Sequence, residues 1–93
     1  MVRDLLRSFF LGRRRALASM PYADYLRSPE WRRRRADALR RAGWRCQVCN
    51  SSVALEVHHR TYERRGAEDS GDLIVLCRRC HSLYHGSGRG VSP

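Results

Sequence analysis

Apolar residues recur along this chain with two different periods, and the change of period divides it. Near the start, Val2, Leu5, Leu6, Phe9 and Phe10 follow i, i+3, i+4, i+7, i+8 spacing, which places them on one stripe of a helix. Gly12 interrupts that stripe before Arg13-Arg14-Arg15. Residues 1–20 are therefore expected to form an amphipathic helix that covers part of the domain's own core. A helix that docks on a partner or lies on a membrane surface is the alternative. Pro21 opens a second segment, 21–45. Ser28-Pro29-Glu30 is a helix start: Ser as N-cap, Pro at the first helical position, Glu at the positive end of the helix dipole. The helix is expected from Pro29 to about Ala42, with Gly43 as its stop. Its apolar stripe is narrow: Trp31, Ala38, Leu39 and Ala42.

Beyond Trp44 the period falls to two. From Ala54 to His58, Leu55 and Val57 alternate with Glu56 and His58, which predicts a strand. A polar loop covers 60–71, a short apolar strand Leu73 to Leu76, and a short helix Cys77 to about Tyr84. That helix carries His81 and His85 four apart on one face. Residues 87–93 read as a flexible tail. The expected fold is thus small α+β: strand, loop, strand and helix in 46–86, preceded by one or two helices.

Cysteine and histidine change the picture most. All four cysteines and all four histidines lie between Cys46 and His85. Cys46-x-x-Cys49 and Cys77-x-x-Cys80 have the spacing of a tetrahedral thiolate zinc site rather than of a disulfide framework. A closed site of this kind is structural, and it would clamp the two ends of the hairpin in a domain too small for a large core. The histidines suggest a second, open site. His58 and His59 are adjacent on a strand and point to opposite faces. One of them, facing His81 and His85, would make a three-nitrogen site with room for water and substrate.

Charge narrows the partner. The net charge is +10, and all 19 basic residues are arginine. Arg32, Arg33, Arg34 and Arg35 cover most directions around one helical turn, and such crowding of like charge is relieved by a polyanion. These four are expected to contact DNA, joined by Arg60, Arg64 and Arg65 beside the histidines. Neither a secretory signal nor a transmembrane stretch is visible. The expected setting is the cytoplasm, without membrane association.

The run L-E-V-H-H-R-T-Y, then G-A-E, then D-L-I-V-L-C-R-R-C-H-S-L-Y-H resembles an HNH endonuclease of the cysteine-clamped type found in phages and bacteria. The lead-in S-P-E-W-R-R-R-R-A-D-A-L-R-R-A-G-W-R-C resembles the segment before the knuckle in such proteins. The resemblance implies a ββα-metal (His-Me finger) unit that hydrolyses DNA phosphodiester bonds to 5′-phosphate and 3′-hydroxyl ends. By position it implies His59 as general base and His58, His81 and His85 as ligands of a catalytic divalent ion. Mg²⁺, Mn²⁺, Ni²⁺ and Zn²⁺ all remain open for that ion. Asp72 stands where the family has Asn, a residue that ties the loop ends and helps orient the base. Asp accepts backbone N–H bonds equally well but cannot donate an amide proton. Two rivals leave the histidines unused: a zinc-ribbon module that binds DNA or RNA without cutting it, and a structural RNA-binding protein. Whether the chain acts alone, as a homodimer or with a phage packaging or mobile-element partner is open in the sequence.

Overall fold

A computed structural model describes residues 2–86, with the side chains of 2–7, 10, 85 and 86 outside the description. The elements run α1 (Val2–Ser19), α2 (Tyr22–Tyr25), α3 (Pro29–Arg41), β1 (Leu55–His59), a 3₁₀ turn (Ser70–Asp72), β2 (Leu73–Cys77) and α4 (Arg78–Gly86). β1 and β2 pair antiparallel with Leu55 opposite Cys77 and His59 opposite Leu73. That register puts Glu56 and His58 on one face of the hairpin and Val57 and His59 on the other.

Helix α3 begins and ends where its sequence says it should. Ser28 Oγ accepts the Trp31 N–H at 3.1 Å, and Pro29 occupies the first turn. At the other end the Trp44 N–H reaches Leu39 O and the Gly43 N–H reaches Arg40 O, the paired bonds of a Schellman stop. Gly43 takes φ +66°, a conformation that costs glycine nothing.

Two apolar clusters flank the hairpin. One joins Leu17 of α1, Tyr25, Trp31 and Leu73, with Val57 against it. The other joins Cys46, Leu76 and Cys77, with Leu55, Ile74 and Cys80 against it. The thiolate knuckle also closes the outer edge of β2. Gln47 donates its N–H to Val75 O at 2.9 Å and accepts the Val75 N–H on Oε1 at 2.7 Å. Without that cover, the edge would present unpaired backbone groups.

Among the described residues, helix α1 meets the core at other positions than those of its apolar stripe. It runs unbroken through Gly12, because one glycine costs a helix only about 1 kcal/mol and tertiary anchors offset it. The anchors lie in the second half of α1. Leu17 is buried, and Arg13 makes a two-pronged ion pair with Glu30 at 2.7 and 2.8 Å. The Arg13 guanidinium holds the Glu30 carboxyl down to about 2. The core contact thus comes from Leu17, outside the predicted stripe, while Phe9 of that stripe is exposed. Val2, Leu5, Leu6 and Phe10 have side chains outside the described ones. Gly66, at φ +93°, lies so close to Leu17 that an added Cβ would stand 2.8 Å from the leucine Cβ.

Candidate metal and nucleic-acid site

The four cysteine sulfurs converge, all within 4.8 Å of one another. Cys49 Sγ lies 3.6 Å from Cys77 Sγ, close to the ~3.8 Å that zinc–sulfur bonds of ~2.3 Å in a tetrahedron require. Backbone N–H groups of Val48 and Cys49 point at Cys46 Sγ, and that of Cys80 at Cys77 Sγ. Burial alone would raise the Cys46 thiol, yet the surrounding N–H donors bring it down to about 6. The crowding of sulfurs pushes the Cys80 thiol the other way, up to about 12, because neighbouring thiolates repel without a cation among them. The convergence of four sulfurs fits a structural zinc ion, which would supply that cation.

A second convergence lies on the Glu56–His58 face of β1. Glu56, His58 and His81 each present one ligand atom within 4.8 Å of the others. The His58 and His81 rings stand 4.0 Å apart, and His81 Nδ1 lies 2.5 Å from Glu56 Oε1. The strand supplies Glu56 and His58 by its two-residue period, and the first turns of α4 bring His81 over them. These three line a groove of about 560 Å³ with Tyr22, Leu26, Trp31, Arg35 and Val57. Two imidazoles and a carboxylate on an open groove fit a divalent ion with positions left for other ligands. His85, expected as a further ligand, has its side chain outside the described residues. Glu56 was read in the sequence only as a polar strand residue. The signal that could have found it is its i, i+2 relation to His58.

His59 is placed differently from a base standing open in the groove. Its side chain is fully buried, stacked between Trp31 (4.7 Å, 24°) and Tyr62 (5.1 Å, 26°). Its Nε2–H donates to Glu68 Oε2 at 2.7 Å, since a carboxylate can only accept. In the neutral ring this leaves Nδ1 to accept the Tyr22 O–H, whose oxygen lies 3.0 Å away. Tyr22 lines the groove that His59 does not.

Glu68 is the hub behind His59. It also accepts from Tyr25 O–H at 2.6 and 2.8 Å and from the Gly66 N–H, and it meets Arg34 Nε at 3.1 Å. Burial would raise the Glu68 carboxyl, but the bonds from His59 and Tyr25 outweigh it and hold the pKa below its ordinary value. Asp72 is likewise buried and forms a tie. It accepts the Asp69 N–H at 3.0 Å and two Arg64 N–H bonds, while its carbonyl takes the Arg60 N–H across the loop mouth. Arg64, with help from the Asp69 N–H, pulls the Asp72 carboxyl down to about 2.

The seven arginines expected at DNA divide. Arg32, Arg33, Arg35 and Arg60 are exposed. Arg34 instead spends its donors on Glu68 and on the carbonyls of Glu68 and Gly66. Arg64 is committed to Asp72, and Arg65 to the carbonyls of Ala18 and Met20, with its guanidinium over Tyr22 and Tyr25. Those three brace the loop, although Arg64 is also exposed. A linear run cannot reveal this, because buried carbonyls and carboxylates in the 63–72 loop compete for the same guanidinium forks.

Fold and site together define a ββα-metal unit braced by a thiolate clamp. Residues 46–87 match the model of the HNH endonuclease family, from the first knuckle through both strands and α4. The match spans a little under half of the chain, and the likeness is that of this segment. Comparison with curated proteins and with solved structures gives no match. No helix among the described residues is long and apolar enough to cross a membrane.

Proposed function

We propose that this protein is a metal-dependent endonuclease that hydrolyses DNA phosphodiester bonds, leaving 5′-phosphate and 3′-hydroxyl ends. The observation that carries the reading is the convergence of His58, His81 and Glu56 on one groove, with Arg35 on its wall, inside the segment that matches the HNH family. His58 and His81 would hold the ion. A bound divalent ion supplies Lewis-acid stabilisation of charge on the scissile phosphate and the departing 3′ oxygen. Arg35 holds a phosphate oxygen in the groove, and Arg32, Arg33 and Arg60 hold the flanking backbone. His59 is the base. Glu68 fixes its tautomer, so that Nδ1 is the basic nitrogen, and Trp31 and Tyr62 fix its plane. Tyr22 links that nitrogen to the groove. As the attacking water gives its proton to the Tyr22 oxygen, the phenol proton passes to Nδ1, and no phenolate forms. This concerted course suits a phenol whose pKa is raised by burial and by neighbouring Tyr62. Asp72 and Arg64 hold the loop that carries Glu68.

Supercoiled plasmid incubated with Mg²⁺, Mn²⁺, Ni²⁺ or Zn²⁺ tests the reading. Relaxed circles or linear product, lost on His58→Ala, are expected. Tight DNA binding with no strand scission under any of the four ions would replace the nuclease with a binding module.

A further inference from the structure

We infer that Glu56 is the third protein ligand of the groove ion, and that its carboxylate tilts the site toward Mn²⁺ relative to Ni²⁺. The inference rests on the reading above that His58 and His81 hold an ion there. Three observations carry it. Glu56 and His58 project from the same face of β1, two residues apart, so their side chains run side by side. His81 reaches both from α4: its ring lies 4.0 Å from that of His58, and its Nδ1 lies 2.5 Å from Glu56 Oε1. One atom from each of the three residues falls within 4.8 Å of the others, and all three line the same groove.

Ligand atoms about an ion with bonds of ~2.1 Å lie ~3–3.5 Å apart. At 2.5 Å His81 Nδ1 and Glu56 Oε1 share a proton, which an entering ion would displace as the two atoms part to that spacing. Glu56 could instead act from behind, orienting His81 as an outer partner. Its place on the groove wall beside His58 argues against that, because an outer partner sits on the far side of the histidine from the ion. The chemistry of the donor set then matters. Imidazole nitrogen suits Ni²⁺ and Zn²⁺, and carboxylate oxygen suits Mg²⁺ and Mn²⁺. Ni²⁺ binds most sites more tightly than Mn²⁺, so the informative quantity is the ratio of the two affinities, not either one.

The test is calorimetric titration of Mn²⁺ and of Ni²⁺ into protein with zinc already in the thiolate clamp. The parent is compared with Glu56→Gln and Glu56→His, with zinc content and circular dichroism confirming the fold in each. Glu56 is partly solvent-exposed, with a third of its side-chain surface open, so both variants should fold. Glu56→Gln is expected to weaken Mn²⁺ at least tenfold and Ni²⁺ less. Glu56→His is expected to weaken Mn²⁺ and strengthen Ni²⁺, moving the ratio by more than a hundredfold. An outer-partner role would lower both ions alike in Glu56→Gln, with no gain for Ni²⁺ in Glu56→His. That result, or unchanged affinities, overturns the assignment. The plasmid assay is a separate readout. Nicking with an unmoved metal ratio rejects Glu56 as ligand and keeps the nuclease, whereas a shifted ratio without nicking does the reverse.

Discussion

Glu68→Gln is the perturbation that probes most of this architecture with the fewest atoms changed. The carboxylate now accepts from Tyr25, His59 and Gly66 and faces Arg34, with its own side chain fully buried. Glutamine keeps the shape but exchanges one oxygen for a donor. The remaining oxygen does best on the Oε1 side, where the Gly66 N–H and Arg34 both approach. The amide nitrogen then faces His59 Nε2, and two donors cannot meet. The cheapest escape is a tautomer switch: Nε2 becomes the acceptor, and Nδ1–H donates to the Tyr22 oxygen. Stability falls because charge-assisted bonds become neutral ones, by about 1–3 kcal/mol. The Arg34 share of that loss is small, since its guanidinium is partly solvated. Activity falls much further. With Nδ1 protonated the base is gone, and the nicking rate should drop by roughly 10²–10⁴-fold while the ion and DNA still bind. Nitrogen–proton correlation spectra of the His59 ring report the tautomer, plasmid nicking at saturating metal reports the rate, and thermal melting reports the fold. A variant with the switched tautomer that nicks at the parental rate refutes His59 as base. An unswitched ring refutes the network that assigns its protons.

Two further predictions concern the clamp and the arginines. Cys77→Ser removes one of four converging thiolates and should cost most of the folding free energy, because structural zinc binding in a small domain is folding energy; strong chelators should act alike, and a zinc-free protein with unchanged circular dichroism would disprove the clamp. Arg32, Arg33 and Arg35 together replaced by Gln should weaken DNA binding on many sequences and flatten its salt dependence by about one unit per lost phosphate contact, whereas Arg34→Gln should lower the melting temperature and leave that slope in place. Equal effects of the two replacements on the salt slope would show that Arg34 touches phosphate after all.

Local chemistry decided the parts of this protein that the sequence makes legible. Ser28, Pro29 and Gly43 bound α3 through caps built from neighbouring residues, so its ends follow from the chain alone. The C-x-x-C pairs announce a thiolate cluster because two residues between cysteines is the spacing of a knuckle, whatever surrounds it. The period-two run of β1 sets His58 and His59 on opposite faces before any partner is known. What lay beyond the sequence depends on contacts between residues far apart in it. Leu17 and Arg13 carry α1 through Gly12 because Gly66 and Glu30 meet them from elsewhere in the chain. Arg34, Arg64 and Arg65 read as three more members of a basic surface until the 63–72 loop and the end of α1 present them with carboxylate and carbonyl acceptors. His59 could be placed on a face by its position, but only α2 and α3 packing over that face bury it behind Tyr22. A pattern of residue types states which groups are available. Which of them meet a ligand is decided by what else folds on top of them, because burial and hydrogen-bond partners belong to the packed structure and not to the chain.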